Sequence, residues 1–157
     1  MIDFPLERLP PIDEHGTLVL ASVEETWAAL LEVVRASFRG GAAARVARAL
    51  GCAQTEVSGE VDSIGSTFPG FIVARVVAPG VLALEGRHRF SRYGLVFRLE
   101  PTKDGGTLLR AETRAEFPGL KGRAYKALVI GTRGHVLVVN RVLLAVRRRA
   151  ERSGLGD

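Results

Sequence analysis

Three histidines, His15, His88 and His135, are the residues of this chain best suited to move protons, since imidazole titrates around pH 6.5. His88 lies within EGRHRFSRYGLVFRLEP, residues 85 to 101, where cations, aromatics and aliphatics alternate. Paired with His135, or with Tyr93, it could exchange protons with a bound molecule. That would suffice for a cyclisation, dehydration or isomerisation without a cofactor. The alternative is a buried ring satisfied by Tyr93, Thr113 or backbone. No inward carboxylate can be assigned beside the imidazoles, so the sequence favours binding over catalysis. The histidines form neither HxH nor HxxxH, and no metal is expected. Cys52 is the single cysteine, which excludes an internal disulfide and reads as a small core residue. No GxSxG, phosphate loop or GxGxxG after a strand is present, so no cofactor is expected.

The elements that must position these groups follow from the hydrophobic period. Residues 1 to 14 carry three prolines and read as an irregular arm. HGTLVLA, 15 to 21, reads as a strand, and Ser22 with Glu25 forms a capping box for the helix SVEETWAALLEVVRASF. Gly40 and Gly41 stop that helix, and a second, AAARVARALG, ends at Gly51. Five strand-like runs follow: QTEVSGEVD, PGFIVARVVAPG, VLALEGRHRF, RYGLVFRLEP and GTLLRAETRAEF. Short turns between them require antiparallel neighbours. Lys121 to Arg152 reads as one long helix that Gly131 and Gly134 weaken. The expectation is a single α+β domain over 15–152, with a tail at 153–157.

Faces separate by alternation. Arg87, Arg89 and Arg98 fall on the side of Glu100, Glu112 and Glu116, a solvated face. A nucleic-acid ribbon would leave its arginines uncompensated beside exposed aromatics, so that class is excluded. The net charge is +5, concentrated in RRRAER at 147–152. No apolar run approaches a membrane span, and the N-terminus lacks a signal-peptide pattern; a cytoplasmic protein without membrane insertion is expected. On the last helix, one side collects Ala124, Leu128, Gly131, Thr132, His135, Val139, Val142 and Val146. Small and polar residues within that apolar side imply space with something polar in it. The opposite side carries Ile130, Leu137 and Leu144 spaced by seven among arginines, a stripe that the arm or a second copy could cover. A homodimer is the expectation drawn from it.

Three stretches carry a family resemblance. SVEETWAALLEVV after a first strand, the meander closing on GTLLRAETRAEF, and the final YKALVIGTRGHVLVVNRVLLAVRRRAER resemble the START-like helix-grip (SRPBCC) superfamily, which includes polyketide cyclase/dehydrase and lipid-transfer domains. GRHRFSRYGLVFRLEP followed by FPGLKGRAYKALVIGTRGH is similar to a bacterial subgroup of it. The resemblance implies a curved sheet of about six strands gripping a long C-terminal helix, with a cavity between them for an apolar or aromatic molecule. On the face assignment the lining would be Phe71, Val73, Leu84, His88, Phe90, Tyr93, Leu95, Phe97, Thr113, Phe117, Leu128, Thr132, His135 and Val139. The strand at 69–78 is apolar on both alternations, leaving Arg75 open between cavity and water. A carrier or sensor is the first expectation. A cofactor-free cyclase/dehydratase is the second, and an interaction protein with a filled core the third.

Overall fold

A computed structural model describes residues 6–131 and 134–155, without the side chains of Val129, Ile130 and Gly131. A 3-10 turn (Leu6–Arg8) precedes strand β1 (Pro11–Val19), which leads into helices α1 (Val23–Ser37) and α2 (Gly41–Leu50). Strands β2 (Thr67–Phe68), β3 (Phe71–Val77), β4 (Val81–His88), β5 (Ser91–Pro101) and β6 (Thr107–Glu116) form a meander, and helices α3 (Gly119–Gly131) and α4 (Gly134–Ser153) end the chain. The six strands form one antiparallel sheet in the order β1-β6-β5-β4-β3-β2. This is the expected α+β arrangement, with the first strand returning to pair with the last.

The capping box forms as read. Ser22 Oγ accepts from the Glu25 N–H at 3.2 Å, and the Glu25 carboxylate accepts from the Ser22 N–H at 2.8 Å. The backbone bond from Ser22, followed by its hydroxyl, holds the Glu25 carboxyl below its ordinary range. Helix α1 buries Trp27, Leu30 and Val34 at i, i+3, i+7, and α4 buries Val139, Leu143, Val146 and Ala150. Both lie over the same half of the sheet's inner face, where Leu82, Leu84, Phe97, Leu99, Leu109 and Ala111 complete the core. The other half, at the far ends of β5 and β6, is covered by α2 and by the start of α4.

Three readings of the sequence are corrected. Residues 11–14, assigned to the arm, are strand: a proline at the first residue of an edge strand removes no ladder bond. The Ala115 N–H donates to Pro10 O, so pairing with β6 starts there. QTEVSGEVD is a loop rather than a strand, bridged to the sheet at Ser58–Thr67 and burying Val61 in the core, and Gly59 turns the chain there at φ +86. The expected long C-terminal helix is present as α3 and α4, between which only Thr132 and Arg133 lie outside the described residues. Finally, the described part of the arm from Leu6 lies over the outer face of the sheet, with Leu6 seated on Gly94 and Glu7 near Arg75, and not over the α4 stripe. Leu137 and Leu144 are exposed at 61% and 43%, while the Ile130 side chain lies outside the description.

The outer face carries ion pairs as expected, in part with the arginines read from sequence and in part with others. Arg98 meets Glu112 at 4.0 Å, Arg92 meets Glu116 at 3.6 Å, and Arg110 meets Glu100 at 3.7 Å. Arg75 lies on this side, 3.7 Å from Glu7, because β3 slips register between Val73 and Arg75. Exposed pairs like these add little stability each.

Candidate functional site

A cavity of about 630 Å³ occupies the half of the inner face that α1 does not reach. The sheet supplies Phe71, His88, Tyr93, Leu95, Thr113, Ala115 and Phe117, because these positions follow the core residues along the same alternation of β3 to β6. Helix α2 supplies Ala42, Ala43, Val46, Ala47 and Leu50; α3 supplies Tyr125; α4 supplies His135, Val138 and Val139. The walls are mostly aliphatic and aromatic.

A run of rings forms the floor. Phe38 stacks on Phe68 at 5.2 Å, Phe71 meets Tyr93 edge-on at 5.3 Å, and Tyr93 meets the His88 ring at 5.4 Å. His88 meets Tyr125 edge-on at 4.8 Å, and Tyr125 stacks on Phe90 at 5.3 Å. Edge-to-face and offset contacts at these distances fix the ring orientations.

The polar groups among them are largely occupied. The Phe90 N–H donates to His88 Nδ1 at 3.0 Å, which makes that nitrogen an acceptor and places the proton on Nε2. Nε2 then donates to Ser91 Oγ at 3.1 Å. Burial lowers the His88 pKa from its ordinary value. Burial thus favours the neutral ring, whose two nitrogens are both occupied by local hydrogen bonds. Tyr93 donates to Gly70 O at 2.6 Å and lies 3.7 Å from Cys52 Sγ. Burial, and then the neighbouring Cys52, pushes the Tyr93 phenol up; burial does the same to Tyr125.

A lowered imidazole pKa carries a stability signature. Between the folded value and the unfolded one near 6.5, the unfolded state binds more protons, so stability present above this window falls as pH descends through it. Urea denaturation at several pH values should show that His88→Gln flattens part of this acid-side loss. An identical pH dependence in both proteins would contradict the neutral assignment.

His135 sits differently. Its Nε2 lies 2.7 Å from Asp13 Oδ2, and His15 Nε2 lies 3.3 Å from the same oxygen without hydrogen-bonding geometry. Strand register places Asp13 beside Thr113 and His15 beside Ala111 on the inner face. Asp13 Oδ1, His135 Nδ1 and Thr113 Oγ1 are buried without a hydrogen-bond partner among the described residues. An inward carboxylate therefore exists. The prolines at 10 and 11 concealed it by making β1 resemble an arm.

Of the lining read from sequence, the structure brings His88, Tyr93, Thr113, His135, Phe71, Leu95, Phe117 and Val139 to the cavity. Leu84, Phe97 and Val73 are instead core, each 1% exposed, because they sit under α1. Phe90 lies in the β4–β5 turn against Tyr125, and Leu128 is 65% exposed on α3. Thr132 lies outside the described residues. The α2 wall was missed, although its alanines at 42, 43 and 47 are the residues a helix needs to border a hollow without filling it. No group of three or more His, Cys, Asp or Glu is arranged to hold a metal ion among the described residues.

No protein-family model matches the chain, and no curated protein matches it at a significant level. Solved structures do. Norcoclaurine synthase from Thalictrum flavum superposes with a TM-score of 0.58 at 12% identity, over 97% of this chain and 91% of its own. The Aha1 dimer from Colwellia psychrerythraea gives 0.53 at 16%, covering 88% and 94%. A Mesorhizobium loti protein gives 0.53 at 14%, covering 89% and 96%. Identities this low establish a common fold and nothing finer.

Proposed function

We propose that this chain, a START-like helix-grip (SRPBCC) fold, binds an apolar or aromatic small molecule in the cavity between its sheet and C-terminal helices, as a carrier or sensor. The observation that carries this reading is the 630 Å³ hollow walled by aliphatics and rings at one end of an otherwise packed core. A void that size forfeits packing that Leu or Phe could supply. Similar use of the fold adds support: a point mutant of the Thalictrum synthase, with a TM-score of 0.58, has been solved in complex with a transition-state analogue. A core filled solid, the third expectation, is not what occupies this end.

Fluorescence titration with N-phenyl-1-naphthylamine, a neutral apolar probe, tests the reading. Ala115 is 6% exposed at the cavity floor, so Ala115→Trp should fill the space and weaken the probe more than tenfold while the fold survives, as far-UV circular dichroism would show. Undiminished affinity in a folded Ala115→Trp protein would dispose of the proposal.

Cofactor-free acid–base catalysis is a second reading, and one observation favours it: the Asp13–His135 hydrogen bond beside the cavity. A carboxylate on Nε2 fixes the tautomer and leaves Nδ1 as the acceptor, which would have to turn into the hollow to meet a substrate. Asp13→Asn should then abolish turnover with binding retained. Self-association through Leu137, Leu144 and Ile130 belongs with these proposals, and light scattering at increasing concentration tests it.

A further inference from the structure

The C-terminal run is not the only concentration of positive charge. In the C-terminal RRRAER run, Arg147 pairs with Glu151 at 3.1 Å and Arg149 pairs with Glu32. Helices α2 and α3 together carry Arg45, Arg48, Lys121, Arg123 and Lys126, all exposed, and not one Asp or Glu. The two helices thus carry five cations uncompensated within their own sequence, whereas α4 sets Glu151 among its five arginines. Both helices border the cavity: α2 through Val46, α3 through Tyr125, with Lys126 5.9 Å above the ring of Phe117.

Exposed aliphatic side chains occur on the same helices and at the start of α4. Val46 and Val138 line the cavity yet are 59% and 61% exposed, which puts them at its mouth, and Leu128 of α3 is 65% exposed. Cations with interleaved aliphatics match the boundary between lipid headgroups and acyl chains. Nucleic acid would instead call for exposed aromatics to stack on bases, and here the rings line the interior.

We infer that the cavity mouth docks on an anionic bilayer surface, with α2 and α3 turned toward the headgroups. Docking is peripheral, since no described helix is long and apolar enough to cross a membrane. It places an apolar hollow against an apolar solvent, where a ligand could exchange without entering water. Each cation near such a surface adds little alone, so attachment is reversible and weakened by salt.

The test is co-sedimentation of the 157-residue chain with phosphatidylcholine vesicles, with and without phosphatidylserine. Partition onto the phosphatidylserine vesicles alone, reversed by added salt, is expected. Combining Arg45→Ser, Arg48→Ser and Lys126→Ser should lower it roughly a hundredfold. Arg148→Ser with Arg152→Ser, which removes charge at the far end of α4, should leave it nearly unchanged. Val46→Ser with Leu128→Ser should weaken it at constant charge. No partition, an equal loss from the α4 pair, or tighter binding to duplex DNA than to the vesicles would each overturn the inference. No cavity ligand enters these measurements, so a negative result leaves the ligand-binding proposal to its own titration.

Discussion

Phe97→Ala should cost about 3–5 kcal/mol in urea denaturation and leave the probe affinity of the folded fraction unchanged. Phe97 is 1% exposed and packs in the cluster with Leu30, Leu82, Leu109 and Val146, so truncation opens a void in the half of the layer that α1 and α4 close. Leu95, two residues earlier on the same face, lines the cavity. Leu95→Ala should reverse the pattern, with a smaller stability loss and an altered probe affinity. Parallel losses of affinity in both variants would show that core and cavity are one compartment, contrary to the structure.

Gly86→Ala should be nearly as damaging, at about 3 kcal/mol, and should also disturb the cavity. A Cβ at position 86 would overlap Gly70 O and come within 2.6 Å of the Tyr93 ring. The carbonyl belongs to the β2–β3 turn and accepts the Tyr93 hydroxyl, so neither neighbour can yield without breaking that bond. Gly41→Ala provides the contrast. Its Cβ meets nothing within 4 Å and its φ is ordinary, so the change should be neutral or stabilise by up to about 1 kcal/mol. Thermal melts of the two variants distinguish a steric from a general effect of adding a methyl. Equal behaviour would remove the packing argument for Tyr93.

The contrast between Phe97 and Leu95 also explains what the sequence could and could not convey. Alternation of period two placed Tyr93, Leu95, Phe97 and Leu99 on one face, and His88 and Thr113 on the inner side, as found. Period two says nothing about distance along a strand. Whether an inner residue meets α1 or the hollow depends on where a helix ends overhead, which is why Leu84 and Phe97 were misplaced. The outer face was legible in kind but not in partner, since Arg92 and Arg110 reach Glu116 and Glu100 through register. Asp13 was lost because two prolines suppress a strand reading even where an edge strand tolerates them. Charge was misread for a related reason. A run of arginines is conspicuous in sequence, whereas the pairing of Arg149 with Glu32 of α1 is visible only in space.

The unequal covering of the sheet has a dynamic consequence. Helix α1 is anchored by Trp27, Leu30 and Val34, whereas α2 buries Ala47 alone and follows Gly40, whose φ is +87. Amide exchange in α2 should therefore proceed through local opening, at rates insensitive to denaturant, while β5, β6 and α1 exchange only with the whole molecule. Under the ligand-binding proposal, such a hierarchy would admit a guest by lifting one short segment, with the remainder serving as an unyielding frame.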